Sequence, residues 1–106
     1  MEPQNVTISV VNGVLVLTPA TLALAEGEFV QWCVEGKEIG VVRLTAASSP
    51  FGGAVDWAWD VTQGLCYPCP AELAATKGTF KYSVCACVGA APNKKSLVTV
   101  GQLDVS

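Results

Sequence analysis

The feature that most constrains this chain is a period-two alternation of apolar and polar residues that recurs along most of its length. In Val6-Thr7-Ile8-Ser9-Val10 it puts successive side chains on opposite faces, the mark of a half-buried strand. Asn12-Gly13 follows, the dipeptide best suited to a two-residue hairpin turn, and Val14-Leu15-Val16-Leu17 returns. Thr18-Pro19 breaks that run, because proline has no N–H for a ladder. Thr21-Leu22-Ala23-Leu24 predicts a short third strand and Glu26-Gly27 a turn. From Glu28 to Val34 the pattern is strongly extended, with Val30, Trp32 and Val34 on one face and Phe29, Gln31 and Cys33 on the other. Ile39 to Thr45 predicts a fifth strand, with Gly40 at a bulge or close approach.

Further on, Ala46 to Gly53 is small, polar and marked by Gly and Pro, so it reads as a loop. Val55, Trp57, Trp59 and Val61 alternate with Asp56, Ala58 and Asp60, which gives a strand with an aromatic face. Gln63 to Pro70 is expected to be a loop carrying Cys66 and Cys69. Glu72 to Thr76 allows one helical turn by propensity and a short strand by context. Phe80, Tyr82 and Val84 oppose Lys81, Ser83 and Cys85; Gly89 to Lys95 reads as a loop, and Leu97 to Val105 as the last strand. Strands at roughly 8–12-residue spacing predict an all-β, antiparallel Greek-key sandwich of seven or eight strands. With 106 residues, the chain is expected to form one domain spanning 1–106.

Composition bears on partners. Charged residues make up only 14% of the chain, against about 25% in an ordinary soluble domain. So few charges cover a monomer poorly, and the expectation is a homo-oligomer or a surface packed on a protein partner. The net charge is −3, and Lys37, Arg43, Lys77, Lys81, Lys94 and Lys95 are dispersed, so the clustered basic face that nucleic acid requires is missing. No apolar run reaches the ~18–20 residues of a membrane span. Met1 to Gln4 has neither a basic nor an apolar leader segment. The expected location is therefore cytoplasmic or particle-associated, unless the chain is a mature secreted form.

The chain contains no histidine. That removes Ser-His-Asp and Cys-His catalysis, His-based zinc hydrolysis and histidine acid–base chemistry. No glycine-rich phosphate loop is present. Asp56 and Asp60 lie four apart on one strand face, where two carboxylates are ordinarily just solvated. The expectation is a non-enzymatic protein with no catalytic residue.

Four of the five cysteines follow the pattern Cys66-x2-Cys69-x15-Cys85-x-Cys87. They admit two disulfides joining the Cys66/Cys69 loop to the Cys85/Cys87 strand end, each closing about 15–20 residues and worth about 3 kcal/mol. They also admit a four-thiolate metal site for Zn²⁺ or Cu(I), or free thiols packed as small hydrophobes. Cys33 stands apart as a structural or interfacial thiol. Trp57 and Trp59 are a packing pair or a ligand platform.

Three segments, Leu17-Thr18-Pro19-Ala20-Thr21-Leu22, Ala25-Glu26-Gly27-Glu28-Phe29-Val30-Gln31-Trp32 and Gly78-Thr79-Phe80-Lys81-Tyr82, resemble the cupredoxin-like sandwich in order and character. Immunoglobulin-like domains share similar stretches. The cupredoxin resemblance implies a strand pair leading into a V-x-W strand, then a strand that delivers the metal-ligand loop. It does not bring type 1 copper, which needs two histidines, a thiolate and usually a weak axial thioether. The only methionine is Met1. Ile39-Gly40-Val41 stands where the family places its first histidine, Val84 at the place of the ligand cysteine, and Cys87 at that of the second histidine. The resulting expectation is a structural or interaction module that self-assembles or packs on a partner, as a coat, filament or particle-decorating subunit. The alternative is a thiolate metal-binding protein using Cys66, Cys69, Cys85 and Cys87.

Overall fold

The computed structural model describes residues 2–61, 65–89 and 94–106. Its strands are β1 (Gln4–Val11), β2 (Val14–Thr18), β3 (Thr21–Leu24), β4 (Phe29–Val34), β5 (Ile39–Ala46), β6 (Val55–Asp60), β7 (Cys66–Leu73), β8 (Gly78–Val88) and β9 (Lys95–Val105). They form two sheets, of order β2-β1-β4-β7 and β3-β9-β8-β5-β6. The expected sandwich is present, with nine strands among the described residues rather than seven or eight. It is mixed, because β1 runs parallel to β4 and β3 parallel to β9. Alternation within one strand carries no information about the direction of its neighbour, so hairpin signals alone suggest an antiparallel sheet.

Local chemistry sets the connections. Asn12 (φ 52°) and Gly13 (φ 77°) both occupy the left-handed region, as a primed turn requires, and the hairpin closes with Val11 opposite Val14. After Pro19 the chain leaves the first sheet, and β3 joins the C-terminal strand of the second. At Gly40 the β5–β8 register shifts between Ile39 and Val41, the bulge expected there.

The stretch from Gln63 to Pro70 departs from expectation. Positions 62–64 lie outside the described residues, but from Cys66 onward the chain is strand, not loop. Two prolines are tolerated because β7 is an edge strand and because they sit in a bulge. Trp32 faces Tyr67 and Val30 faces Glu72, which leaves residues 68–71 opposite Gln31 alone. The Gln31 side-chain amide donates to the Pro68 carbonyl at 2.9 Å and replaces the missing ladder partner.

Between the sheets lies one apolar core. Val6, Ile8, Val30, Trp32, Val42 and Val84 are fully enclosed. Trp32 sits at its centre, edge-on to Tyr82 (5.4 Å), Trp57 (5.9 Å) and Phe51 (6.3 Å), the arrangement that aromatic quadrupoles favour. Ser49 places Phe51: its hydroxyl donates to the Gly53 carbonyl (2.7 Å) and accepts the Phe51 N–H (3.1 Å). Tyr67 stacks on Trp59 at 4.9 Å and Phe51 on Trp57 at 5.5 Å, so both tryptophans are packed into the aromatic cluster.

Gly101 lies directly across from Tyr82 on the neighbouring strand. A Cβ there would run into the Tyr82 ring and come within 2.8 Å of Leu17 Cδ1. Gly101→Ala is therefore expected to destabilise the protein by about 1–3 kcal/mol, the usual cost of overpacking, read from urea unfolding. An unchanged midpoint would contradict this account of the core.

Candidate functional site

Strand β4 carries the core tryptophan on its inner face, which turns Cys33 outward. Cys33 pairs directly with Cys66 on β7. Their Cα atoms are 4.0 Å apart, and a disulfide joins the two sulfurs. Both residues are half-buried. On the other side Cys33 faces Thr7 of β1, so its strand is held from both flanks, while Cys66 lies on an edge. Cys69 is free and exposed on the β7 bulge.

This corrects the expected cysteine pairing. Cys66 bonds to Cys33, and Cys69, Cys85 and Cys87 are free thiols. The structure does not bring Cys66, Cys69, Cys85 and Cys87 together. Cys85 alternates with buried Val84 and Ala86 and so points away from the core on the second sheet, while Cys66 points away from it on the first. Two sheets packed about 10 Å apart lie between them. Among the described residues no three Cys, Asp or Glu side chains gather closely enough to hold a metal ion.

On the outer face of the second sheet, Cys85 is flanked by Arg43 and Val98, and Cys87 by Val41 and Ser96. Arg43 grips Asp56 through two hydrogen bonds of 2.9 and 2.7 Å. That hydrogen bonding, more than simple charge attraction, holds the Asp56 carboxyl below its ordinary range and raises the Arg43 guanidinium. Both groups are well exposed, and the pair is a surface clamp between β5 and β6.

In the core, burial pushes the Tyr82 phenol above its ordinary pKa, and the nearby Trp32 indole N–H partly opposes that shift. Neither Trp32 Nε1 nor the Tyr82 hydroxyl completes a hydrogen bond among the described residues.

The positions aligned with the copper ligands do not fit the metal. Val84 is fully buried in the core, Cys87 is exposed on the outer sheet face, Ile39 is buried and Val41 exposed. No histidine exists to complete a set.

No protein-family model matches the chain, and no curated protein matches it. Solved structures do. A purple cupredoxin from Nitrosopumilus maritimus superposes with a TM-score of 0.59 at 14% identity, over 96% of this chain and 98% of that one. The chain has the cupredoxin fold. An oxidised mutant of amicyanin matches with a TM-score of 0.54 at 14% identity over 95% of this chain and 81% of that one. A reduced Cu(I) mutant of amicyanin at pH 4 matches with 0.51 at 11% identity, over 100% and 86%. The cupredoxin neighbours overturn the expected self-assembling coat, filament or decorating module. The alternative, a four-thiolate Zn or Cu(I) protein, gains no support from cysteines divided between two sheets. Among the described residues no helix is long and apolar enough to cross a membrane.

The site residue that sequence reasoning missed is Cys33. Its outward position on β4 was legible, but its partner depends on the β4–β7 register, which the proline-rich start of β7 conceals.

Two outcomes follow from this geometry. The disulfide closes a sequence separation of 33 residues, so a Cys33→Ala/Cys66→Ala variant is expected to fold but lose about 3–4 kcal/mol of unfolding free energy. A loss below about 1 kcal/mol would contradict that contribution. A phenol with a raised folded pKa contributes stability that is complete below the unfolded value of about 10 and is lost as pH rises through the folded value. Melting temperature should thus fall above about pH 10. Tyr82→Phe should remove part of that fall and melt no lower than wild type at pH 7, since it deletes a buried hydroxyl without a partner.

Proposed function

We propose that this protein is a thiol–disulfide redox protein in which the Cys33–Cys66 bond, on a cupredoxin scaffold, takes the role that copper cannot fill. One observation carries this reading: the bond joins two partly exposed residues on an outer sheet face, with one partner on an edge strand and a free, exposed thiol three residues away. Exposed disulfides tend towards the labile and regulatory end of the range, whereas enclosed ones resist reduction. The amicyanin structures are described in Cu(I) and oxidised forms. A fold that hosts a changing redox centre there would host sulfur here.

Reduction by a small thiol of the glutathione class begins with its thiolate attacking Cys66 Sγ, the sulfur on the open edge. The Cys33–Cys66 bond breaks, Cys33 leaves as a thiolate and takes a proton, and a second thiol resolves the mixed disulfide. Two electrons and two protons enter the protein, and the small thiol leaves as its own disulfide. Trp32 and Tyr67 face inward next to the two cysteines and make ring contacts of their own, so the core packing does not run through the bond.

Equilibration in glutathione buffers, followed by acid quenching, alkylation and peptide mapping, tests this directly. The expected result is one reversible transition of Cys33 and Cys66 at a potential above about −300 mV, the region where structural disulfides end, with the fold retained. A bond that stays oxidised until the chain unfolds would make it a structural staple and overturn the proposal.

A further inference from the structure

We infer that Cys69 is an exchange partner of Cys66, so that the Cys33–Cys66 bond can be traded within the chain for a Cys66–Cys69 bond; this rests on the redox reading of that disulfide. In a regular strand, residues three apart are separated by about 10 Å, beyond the roughly 7 Å of Cα separation that a disulfide spans. Strand β7 is not regular there. Tyr67 faces Trp32 and Glu72 faces Val30, so five residue steps on β7 fit into the length that two steps occupy on β4, about 7 Å. The surplus forms a bulge, and Cys69 stands on it, exposed, after buried Pro68.

The bulge is anchored at its base but gives few hydrogen bonds to the ladder. The Gln31 side chain holds its base through the Pro68 carbonyl. Pro68 and Pro70 have no N–H, so the backbone on both sides of Cys69 can rearrange without giving up donors to the ladder. Cys85 and Cys87 have no comparable access, since they lie on the outer face of the other sheet.

The chemistry balances without an external oxidant or reductant. Cys69 gives its proton to solvent, and its thiolate attacks Cys66 Sγ. The Cys66–Cys69 bond forms as the Cys33–Cys66 bond breaks, and Cys33 departs as a thiolate that takes up a proton. One disulfide exists before and after. The exchange removes the covalent link between β7 and β4 and exposes a thiol at Cys33, on a strand that β1 still flanks.

The test is Cys33→Ser, equilibrated in oxidising glutathione, with intact mass and alkylation read together. The expected product has lost two hydrogens, with Cys66 and Cys69 both blocked; adding Cys69→Ala removes that product and leaves Cys66 either labelled or carrying one glutathione by mass. Cys66 and Cys69 both alkylated in folded Cys33→Ser would overturn the inference. Should that variant not fold, wild type held oxidised with an alkylating reagent gives the same answer. Labelling of Cys33 that disappears in Cys69→Ala supports the exchange, and Cys33 that never labels overturns it. The redox reading fails separately: a Cys33–Cys66 bond that resists glutathione can coexist with ready Cys66–Cys69 closure in Cys33→Ser. A bond that responds to glutathione while Cys66 and Cys69 stay free removes Cys69 alone.

Discussion

Burial of Trp32 between the two sheets is the interaction on which the rest of the structure depends. It is fully enclosed and meets rings from β6, β8 and the loop before β6, so it ties both layers together at one point. It also fixes parity. A strand slipped by one residue would put every side chain on the wrong face, and burying a tryptophan makes that costly. With Trp32 inward, Cys33 must face out. Because Trp32 pairs with Tyr67, Tyr67 turns in to stack on Trp59 and Cys66 turns out beside Cys33. The disulfide is thus positioned by the aromatic packing behind it.

The same packing explains how a cupredoxin fold persists without its metal ligands. The positions aligned with the copper ligands have gone to the core or to the outer surface: Val84 and Ile39 add apolar burial, and Cys87 and Val41 face outward. Stability then rests on buried area and ring contacts, together with one covalent link. The cysteines stand on the outer faces, where among the described residues no three ligating side chains gather but thiol chemistry remains open.

Much of the fold was legible in the residues. Alternation located eight of the strands, and Asn12-Gly13 and Gly40 marked the hairpin and the bulge, because each reflects local backbone sterics. Strand direction was not legible, since the parallel β1–β4 and β3–β9 pairings are set by how the chain crosses between sheets. Strand β7 was hidden because Pro68 and Pro70 are usual signs of a loop, and only an edge position and the Gln31 contact make them compatible with a sheet. The cysteine pairing was lost with it. Spacing groups Cys66 and Cys69 with Cys85 and Cys87, whereas three dimensions join Cys66 to Cys33, 33 residues away.

In the proposed redox role, the Cys33–Cys66 bond changes state on a scaffold that does not. The most direct measurement is the ¹³Cβ chemical shift of all five cysteines in the oxidised protein and after reduction. The account predicts that the Cys33 and Cys66 signals move from disulfide to thiol positions and return on reoxidation, while the amide spectrum of the core keeps its dispersion. Collapse of that dispersion on reduction, or cysteine shifts that do not move before it collapses, would contradict it.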